Sequence, residues 1–225
     1  MKPILFNTEM VQAILEGRKV VTRRVVKLPK RVQEQENGLY TLFTEGTVYE
    51  NFCIEQIVDY ISPYQVNDVL YVRETVWQKI GHYLDVDGET KGSYYNEFLY
   101  VATDKKPETG WNYSWVKRPS IHMPKEAARL FLRVTGVTVE RLQDITKEQI
   151  NKEGFPSRKV LESLNFVTLT KDGQRIIEKG FDANIYDFLN VWNKTLKKDQ
   201  RAYYCWEANP YVWVIEFEVI DKPIE

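Results

Sequence analysis

The chain has 225 residues with a net charge of −1, and hydrophobic residues make up 43% of it. This composition predicts a folded globular protein with a sizeable core and excludes intrinsic disorder. It also argues against a domain that holds long duplex nucleic acid through general phosphate contacts, because such domains are basic overall.

Cysteine and histidine usage is sparse. The two cysteines, Cys53 and Cys205, lie far apart and form no CxxC unit, and neither histidine has ligand spacing to a cysteine. No apolar run approaches the roughly 18 residues that span a bilayer, and no signal peptide is recognisable. We therefore expect a cytoplasmic protein with free thiols, no metal site, no cofactor and no membrane partner.

The first predicted element is a short helix. Residues 7–17, NTEMVQAILEG, offer Asn7 or Thr8 as the N-cap, apolar side chains at helical spacing, and Gly17 as the residue that ends the helix. Valine pairs in the next segment, GRKVVTRRVVK at 17–27, predict that a strand starts there.

The segment after this helix is strongly basic, with seven positive charges and no acid over residues 18–31. One interpretation is a solvated strand edge, whose charges discourage aggregation. The other is a functional site, in which a turn at the helix exit brings the Lys19 ammonium over the Thr22 hydroxyl as its general base. Nearby arginines would lower the pKa of this lysine and hold a phosphate; they are Arg18, Arg23 and Arg24.

The middle of the chain predicts strands interrupted by turns. Residues 30–63 are typical of weak hairpins and loops, a clear strand follows over 69–77, and residues 78–118 form an excursion with two short strands. Glu74 lies in an otherwise apolar row of the 69–77 strand. It is therefore either a buried acid with a raised pKa or the ion-pair partner of a strand arginine such as Arg73 or Arg133.

A proline-bounded loop at 119–124 carries Ser120 and His122. A histidine in such a loop serves as a proton shuttle or as a packing and hydrogen-bonding residue. The pattern then predicts two strands that are broken at Gly136.

A second helix is predicted over 144–155, with a capping box between Thr146 and Gln149 and an end at Gly154. Its last turn carries Glu153, although the negative end of the helix dipole disfavours an acid there. Such a local exception is a mild sign of function, although stray acids at helix ends are common.

The remainder of the chain predicts a charged insertion over 156–180, an amphipathic helix over 182–196 and a closing strand over 209–220. Long strand–helix–strand crossovers are scarce, so the order of elements predicts an α+β fold, a small mixed β-barrel with helices packed outside. We expect one domain over 1–225, with insertions at about 30–63, 78–118 and 156–208.

Three segments together resemble the ASCH family, small proteins with a PUA-like β-barrel, and its phage and prophage members most closely. The segments are ILEGRKVVTRR at 14–24, NDVLYVRET at 67–75, and LFLRVTGVTVERLQDITKEQINKEGF at 130–155, which leads to YVWVIEFEV at 211–219. They occur in the family's order. The chain departs from the family by its length and by Asn67-Asp68 where Gly-Asp is usual.

The resemblance implies that the protein binds RNA, a nucleoside or a nucleotide in a cleft of the barrel. A short bacterial member similar in the Gly-Arg-Lys-x-x-Thr segment is an amidohydrolase acting on N4-acetylcytidine. Its proposed catalytic Lys, Thr and Glu correspond here to Lys19, Thr22 and Glu153. The candidate substrate-binding residues are Arg18, Arg23, Arg24, Arg73, Glu74, Ser120 and His122.

Several functions remain open at this point. The amidohydrolase reaction is one, and a ribonuclease is another, because other ASCH proteins cleave RNA with different residues. A third is a module that binds single-stranded RNA without catalysis, through the cluster at 18–31. A fourth is a phage protein that binds a host protein through its insertions.

Overall fold

A computed structural model describes residues 1–45, 47–84, 86–155, 166–169, 175–178 and 183–223. The fold is α+β, as the sequence predicts. The helices are α1 (Thr8–Leu15), α2 (Val58–Ile61), α3 (Lys147–Lys152), α4 (Ala183–Thr195) and α5 (Arg201–Tyr204). The strands are β1 (Lys2–Leu5), β2 (Val21–Val25), β3 (Val32–Glu34), β4 (Tyr40–Thr44), β5 (Thr47–Phe52), β6 (Val69–Arg73), β7 (Val76–Leu84), β8 (Thr90–Tyr100), β9 (Tyr113–Arg118), β10 (Phe131–Arg141), β11 (Phe166–Leu169), β12 (Arg175–Glu178) and β13 (Tyr211–Ile220).

The chain divides into two compact units. Unit 1 consists of Met1–Gly17, Val66–Thr135 and Phe217–Glu225, and unit 2 consists of Arg18–Gln65 and Gly136–Glu216. The single domain with insertions stays a prediction, and much of the insertion expected at 156–180 lies outside the described residues. The described strand pairings close no sheet into a barrel, so the PUA-like form of the fold also stays a prediction. Among the described helices, none has the length and apolar content needed to cross a membrane.

Helix α1 begins and ends where the sequence predicts. The Asn7 side chain accepts a hydrogen bond from the Met10 amide at 2.8 Å, which satisfies one of the unpaired donors of the first turn. Gly17 follows the helix with a φ of 70°, the left-handed conformation that favours glycine. This turn directs the chain into the basic segment.

Unit 1 is built on two groups of paired strands. Strand β1 lies parallel to β6, and β6 pairs antiparallel with the start of β10. A three-stranded antiparallel sheet has the order β8-β7-β9. One face of this sheet contributes Val76, Phe98 and Tyr100 to the core, where they pack with Met123 and Phe131.

The strand predicted over 69–77 is interrupted, and the prediction of one continuous strand is wrong. Strand β6 ends at Arg73 and β7 begins at Val76. Between them the Glu74 amide donates to the Met123 sulfur at 3.1 Å instead of to a neighbouring strand. The buried Glu74 side chain thus lies at a bend rather than within a strand.

Unit 2 holds the segments that carry the basic cluster. Strand β13 pairs antiparallel with β2, with Ile215 opposite Thr22, and β3, β4 and β5 form a meander. Its core contains Ile150 from α3, Phe188 and Trp192 from α4, and Val212 from β13. Strand β2 and the end of α3 are therefore parts of one packed unit.

The predicted break at Gly136 is wrong, because β10 runs unbroken from Phe131 to Arg141. A Cβ atom at Gly136 would lie 3.2 Å from a carboxylate oxygen of Glu216. The glycine therefore reflects the close approach of a neighbouring side chain rather than the end of a strand.

The capping box of α3 yields the first prediction. The Thr146 hydroxyl accepts from the Gln149 amide at 3.3 Å, and the Gln149 side chain accepts from the Thr146 amide at 2.8 Å. We expect Thr146→Ala to lower the free energy of unfolding by about 1 kcal/mol, measured by urea denaturation. Thr146→Ser keeps the hydroxyl and should stay close to wild type, whereas equal losses in both variants would contradict this role.

Candidate functional site

The end of α3 is fastened to the segment that enters β2. Three donors from residues 18–20 meet three successive carbonyl groups. Arg18 Nη1 donates to Gly154 O at 2.8 Å, Lys19 Nζ to Glu153 O at 3.0 Å, and Val20 N to Lys152 O at 2.9 Å. The last carbonyls of a helix lack partners within it and carry the negative end of its dipole, so cationic donors suit them. Gly154, with a φ of 95°, turns the chain away after them.

Lys19 and Glu153 form a buried ion pair at this junction. Lys19 Nζ lies 2.5 Å from Glu153 Oε2, and the two side chains are 2% and 5% exposed. The backbones of the two residues also form an antiparallel β-bridge. The ammonium donates further to the Val21 carbonyl at 2.8 Å, so each of its three N–H groups has an acceptor.

Arg23 extends the ion pair into a network of four charged side chains. Its Nη1 donates to Glu153 Oε1 at 3.0 Å, while its Nη2 and Nε donate to Glu140 Oε1 at 2.6 and 2.8 Å. Arg23 is fully buried, whereas the Glu140 side chain is 19% exposed. Two cations and two carboxylates compensate each other, so the network itself is electrically neutral.

Thr22 and Arg24 lie next to this network on β2. Residues two apart in a strand share a face, and Arg24 Nη1 donates to Thr22 Oγ1 at 2.7 Å and to the Arg23 carbonyl at 2.9 Å. Thr22 is buried, and Arg24 is half-buried. Since a guanidinium stays protonated in proteins, Arg24 adds one positive charge to a neutral network.

Burial and neighbouring charges shift the ionisation of two cations in this cluster. Burial lowers the pKa of Lys19 below its ordinary value, the Glu153 carboxylate opposes that shift, and the charges of Arg24 and Arg23 reinforce it. Burial also lowers the pKa of Arg24, against the opposing effects of Tyr64 and Glu153. Arg23 and Arg24 thus act on Lys19 in the predicted direction, whereas the predicted effect of Arg18 is not among the causes, and burial is the largest cause.

The chain turns at the helix exit as predicted, but this turn brings Lys19 into contact with Glu153. The Lys19 side chain folds back along its own segment and reaches the carbonyl of Val21, the residue before Thr22. Its ammonium is held by Glu153, and the Thr22 hydroxyl is held by Arg24. Lys19 and Glu153 are thus paired with each other, whereas the Thr22 hydroxyl contacts Arg24, and the catalytic role of the three residues stays a prediction.

The predicted phosphate-binding arginines have different environments. Arg18 is exposed and fastened to the Gly154 carbonyl, Arg23 is buried between two carboxylates, and Arg24 is half-buried beside Thr22. The basic segment is therefore not simply a solvated strand edge.

The remaining predicted site residues belong to unit 1 and form a separate group. Glu74 is 1% exposed and accepts two hydrogen bonds from Arg129, from Nε at 2.8 Å and from Nη2 at 3.0 Å. Its partner is thus Arg129 rather than the predicted Arg73. Arg129 also lies over the ring of Tyr100, 3.9 Å from its centroid, and donates to Thr103. This arrangement braces the start of β10 against the bend at Glu74.

Arg73 supports the loop that carries Ser120 and His122. Its guanidinium donates to the carbonyls of Ile121 and Met123, the second bond at 2.9 Å. Ser120 and His122 lie in a short 3₁₀ turn, with His122 exposed. Within unit 1 the described contacts of Arg73 and Glu74 are structural, and the binding role of these four residues stays a prediction.

Sequence reasoning missed Glu140 and Arg129. Residues 18–31 carry seven positive charges and no acid, so any buried cation among them needs a carboxylate partner from elsewhere in the chain. This need was the sequence signal that could have led to Glu140. No local pattern marks Arg129. Within the part of the chain that the structure describes, no three His, Cys, Asp or Glu side chains are grouped as a metal site would require.

Comparisons with known proteins add no family assignment. No family model, curated protein or solved structure matches this chain. The ASCH resemblance therefore stays a hypothesis that rests on the three sequence segments.

The network yields a graded stability prediction. Glu153→Gln leaves the buried Lys19 ammonium without its carboxylate and should lower the free energy of unfolding by about 3–5 kcal/mol in urea denaturation. Glu140→Gln should cost clearly less, because Glu140 is partly solvated and Arg23 keeps Glu153. Equal losses, or a loss below about 1 kcal/mol for Glu153→Gln, would contradict the buried pair.

Proposed function

We propose that the protein is an ASCH-like protein with a PUA-like barrel that binds a modified cytidine, free or within RNA, and hydrolyses its acyl-amide. The observation that carries this proposal is the buried contact of 2.5 Å between Lys19 and Glu153, in the same unit as the buried Thr22. These are the residues that correspond to the proposed catalytic Lys, Thr and Glu of the similar amidohydrolase. A buried group with a shifted pKa, as Lys19 has, is typical of catalytic sites.

The cluster suits general acid–base chemistry with a threonine nucleophile. One proton shared across the Lys19–Glu153 contact can reside on the carboxylate, which leaves an amine on Lys19. Thr22 Oγ1 attacks the acyl carbon while the Lys19 amine takes its proton, and Glu153 protonates the departing cytidine amine as the C–N bond breaks. Water then attacks the acyl-threonine, giving its proton to Glu153, and Lys19 returns a proton to Thr22 as the acid leaves.

Arg24 supplies the electrostatic part of this mechanism. It donates to the oxygen of Thr22, so it stabilises negative charge that develops there and leaves the hydroxyl proton for Lys19. The Arg24 guanidinium is also the group that we propose to contact an anionic part of the substrate. Because Arg24 is half-buried, the substrate would approach from the side on which Arg24 lies.

The nucleophile is tested by a matched pair of variants. We expect Thr22→Val to lower the rate of N4-acetylcytidine hydrolysis by about 100-fold or more, because valine has the same shape without the hydroxyl. Thr22→Ser keeps the hydroxyl and should retain measurable turnover. Release of acetate and cytidine is followed by chromatography, with circular dichroism as the check on folding.

Two outcomes would contradict this mechanism. One is a wild-type rate equal to that of buffer alone, and the other is a Thr22→Val rate equal to that of wild type. Lys19→Met serves as a further variant, since it fills the same buried space without a titratable group and should also lose turnover.

The pH dependence of hydrolysis follows from the shared proton. Activity should fall at alkaline pH as the Lys19–Glu153 pair loses that proton, with a midpoint below 10.5 because burial lowers the pKa of Lys19. The profile of kcat/KM against pH measures this midpoint. An alkaline limb at or above 10.5, or one that persists in Lys19→Met, would assign the titration to another group.

A second candidate is binding of the same nucleoside without catalysis. The observation that favours it is that protein acceptors take all three N–H groups of the Lys19 ammonium, which is 2% exposed. A binding protein needs no proton transfer from this group. It predicts that N4-acetylcytidine raises the melting temperature of wild type and of Thr22→Val equally, with no acetate released.

A further inference from the structure

The sheet β8-β7-β9 of unit 1 has an outward face of unusual composition. Its inward face packs in the core through Val76, Phe98 and Tyr100. An antiparallel sheet with one face on the core normally places polar residues on the other. Here the alternate residues carry five aromatic rings, which we call the aromatic face: Trp77, Tyr83, Tyr95, Tyr113 and Trp115.

Lysines alternate with these rings across the strands. In the register of β7 and β9, Trp77 lies opposite Lys117, and Lys79 lies opposite Trp115. The Lys117 ammonium is 5.8 Å from the centre of the Trp77 ring, and that of Lys79 is 5.6 Å from Tyr95 and 5.0 Å from Tyr113. The same face carries one more lysine, Lys91 opposite Tyr83, and one acid, Glu97, bonded to Lys79 at 2.9 Å.

Two glycines set the tyrosine rings close against the backbone. A Cβ atom at Gly81 would lie 2.4 Å from the Tyr95 ring, and one at Gly110 would lie 2.3 Å from the Tyr113 ring. Both distances are too short for any other residue without a shift of the ring. The two rings thus lie close against the backbone and near the Lys79 ammonium, with Tyr95 47% exposed.

We propose that the aromatic face binds single-stranded nucleic acid, with bases stacked on its rings and phosphates paired with its lysines. Every base has a flat face that stacks on tyrosine or tryptophan, and such platforms combine rings with cations along one groove or sheet. Side chains two residues apart on a β-strand are separated by about 6.6 Å, and neighbouring β-strands are separated by about 4.8 Å. An extended single-stranded nucleic acid can match these spacings.

The charge of the face favours this occupant over a protein. Three lysines against one acid give it a net positive charge, which complements phosphate. Lysine is depleted in the centre of protein–protein interfaces, whereas here it lies among the rings. This surface is separate in residues and in chemistry from the Lys19 cluster, so the proposal does not depend on the hydrolysis of acylcytidine.

Adjacent tyrosines on opposite faces provide a matched test. Tyr95 belongs to the aromatic face, whereas Tyr94 is opposite Ile80 on the other face and packs with Arg118. The two side chains are similarly exposed, at 47% and 57%. We expect Tyr95→Ala to weaken binding of a short, labelled, mixed-sequence single-stranded RNA about tenfold in fluorescence anisotropy at low salt. Tyr94→Ala should leave the affinity close to wild type.

The lysine contribution is tested by salt dependence. Lys117→Gln should reduce the slope of log affinity against log salt concentration by about 0.7, the value for one lost phosphate contact on a single strand. Lys106→Gln removes the same charge from an exposed position of unit 1 outside the sheet and should leave the slope unchanged.

The proposal is overturned if the full chain binds no single-stranded RNA or DNA at low salt, or if Tyr94→Ala and Tyr95→Ala weaken binding equally. The first result would leave the aromatic face as a surface for a protein partner. Failure of nucleic-acid binding can be told apart from failure of the proposed hydrolysis. Thr22→Val should retain oligonucleotide binding, and the nucleoside assay contains no oligonucleotide.

Discussion

The contact between the Lys19 ammonium and the Glu153 carboxylate is the interaction on which unit 2 depends. It joins the chain that leaves the first helix to the end of α3, and the same carboxylate binds Arg23, which binds Glu140. Removing two charges from water costs several kcal/mol for each ion, and well-packed apolar residues of similar volume would be at least as stable. A pair of this kind is therefore a costly way to join two segments.

The two units offer different kinds of surface. In unit 2 the charged side chains of Lys19, Arg23 and Glu153 are buried, and the half-buried Arg24 contacts Thr22. In unit 1 the aromatic face extends over three strands, with Tyr83 and Tyr95 exposed and the other three rings half-buried. The buried residues of unit 2 suit the proposed nucleoside-sized substrate, and the aromatic face of unit 1 suits the proposed single strand of nucleotides. A protein that acts on a modified base within RNA would need both functions.

Local sequence signals predicted the parts of the fold that depend on neighbouring residues. The Asn7 cap, the capping box at Thr146 and the left-handed glycine at Gly154 all lie where the sequence places them, because each depends on residues within one helical turn. The acid in the last turn of α3 was recognised as an exception, and the structure shows that Lys19 and Arg23 compensate it.

Features that depend on distant partners were not predictable in the same way. The bend at Glu74 arises from Met123 and Arg129, and the partner of Arg23 lies on β10, so each requires the strand register to be known first. Strand alternation places Thr22 and Arg24 on one face, but it could not show that Lys19 reaches Glu153. The aromatic face emerged only when β7, β8 and β9 were aligned, since its rings come from three segments.

The most direct test of this account is the ionisation of Lys19, measured by NMR on the side-chain Cε and Nζ resonances as a function of pH. The account predicts a midpoint below 10.5, slow exchange of the ammonium protons with water, and a further decrease of the midpoint in Glu153→Gln, which removes the opposing charge. A Lys19 that titrates at 10.5 with rapidly exchanging protons, unaffected by Glu153→Gln, would contradict the buried pair.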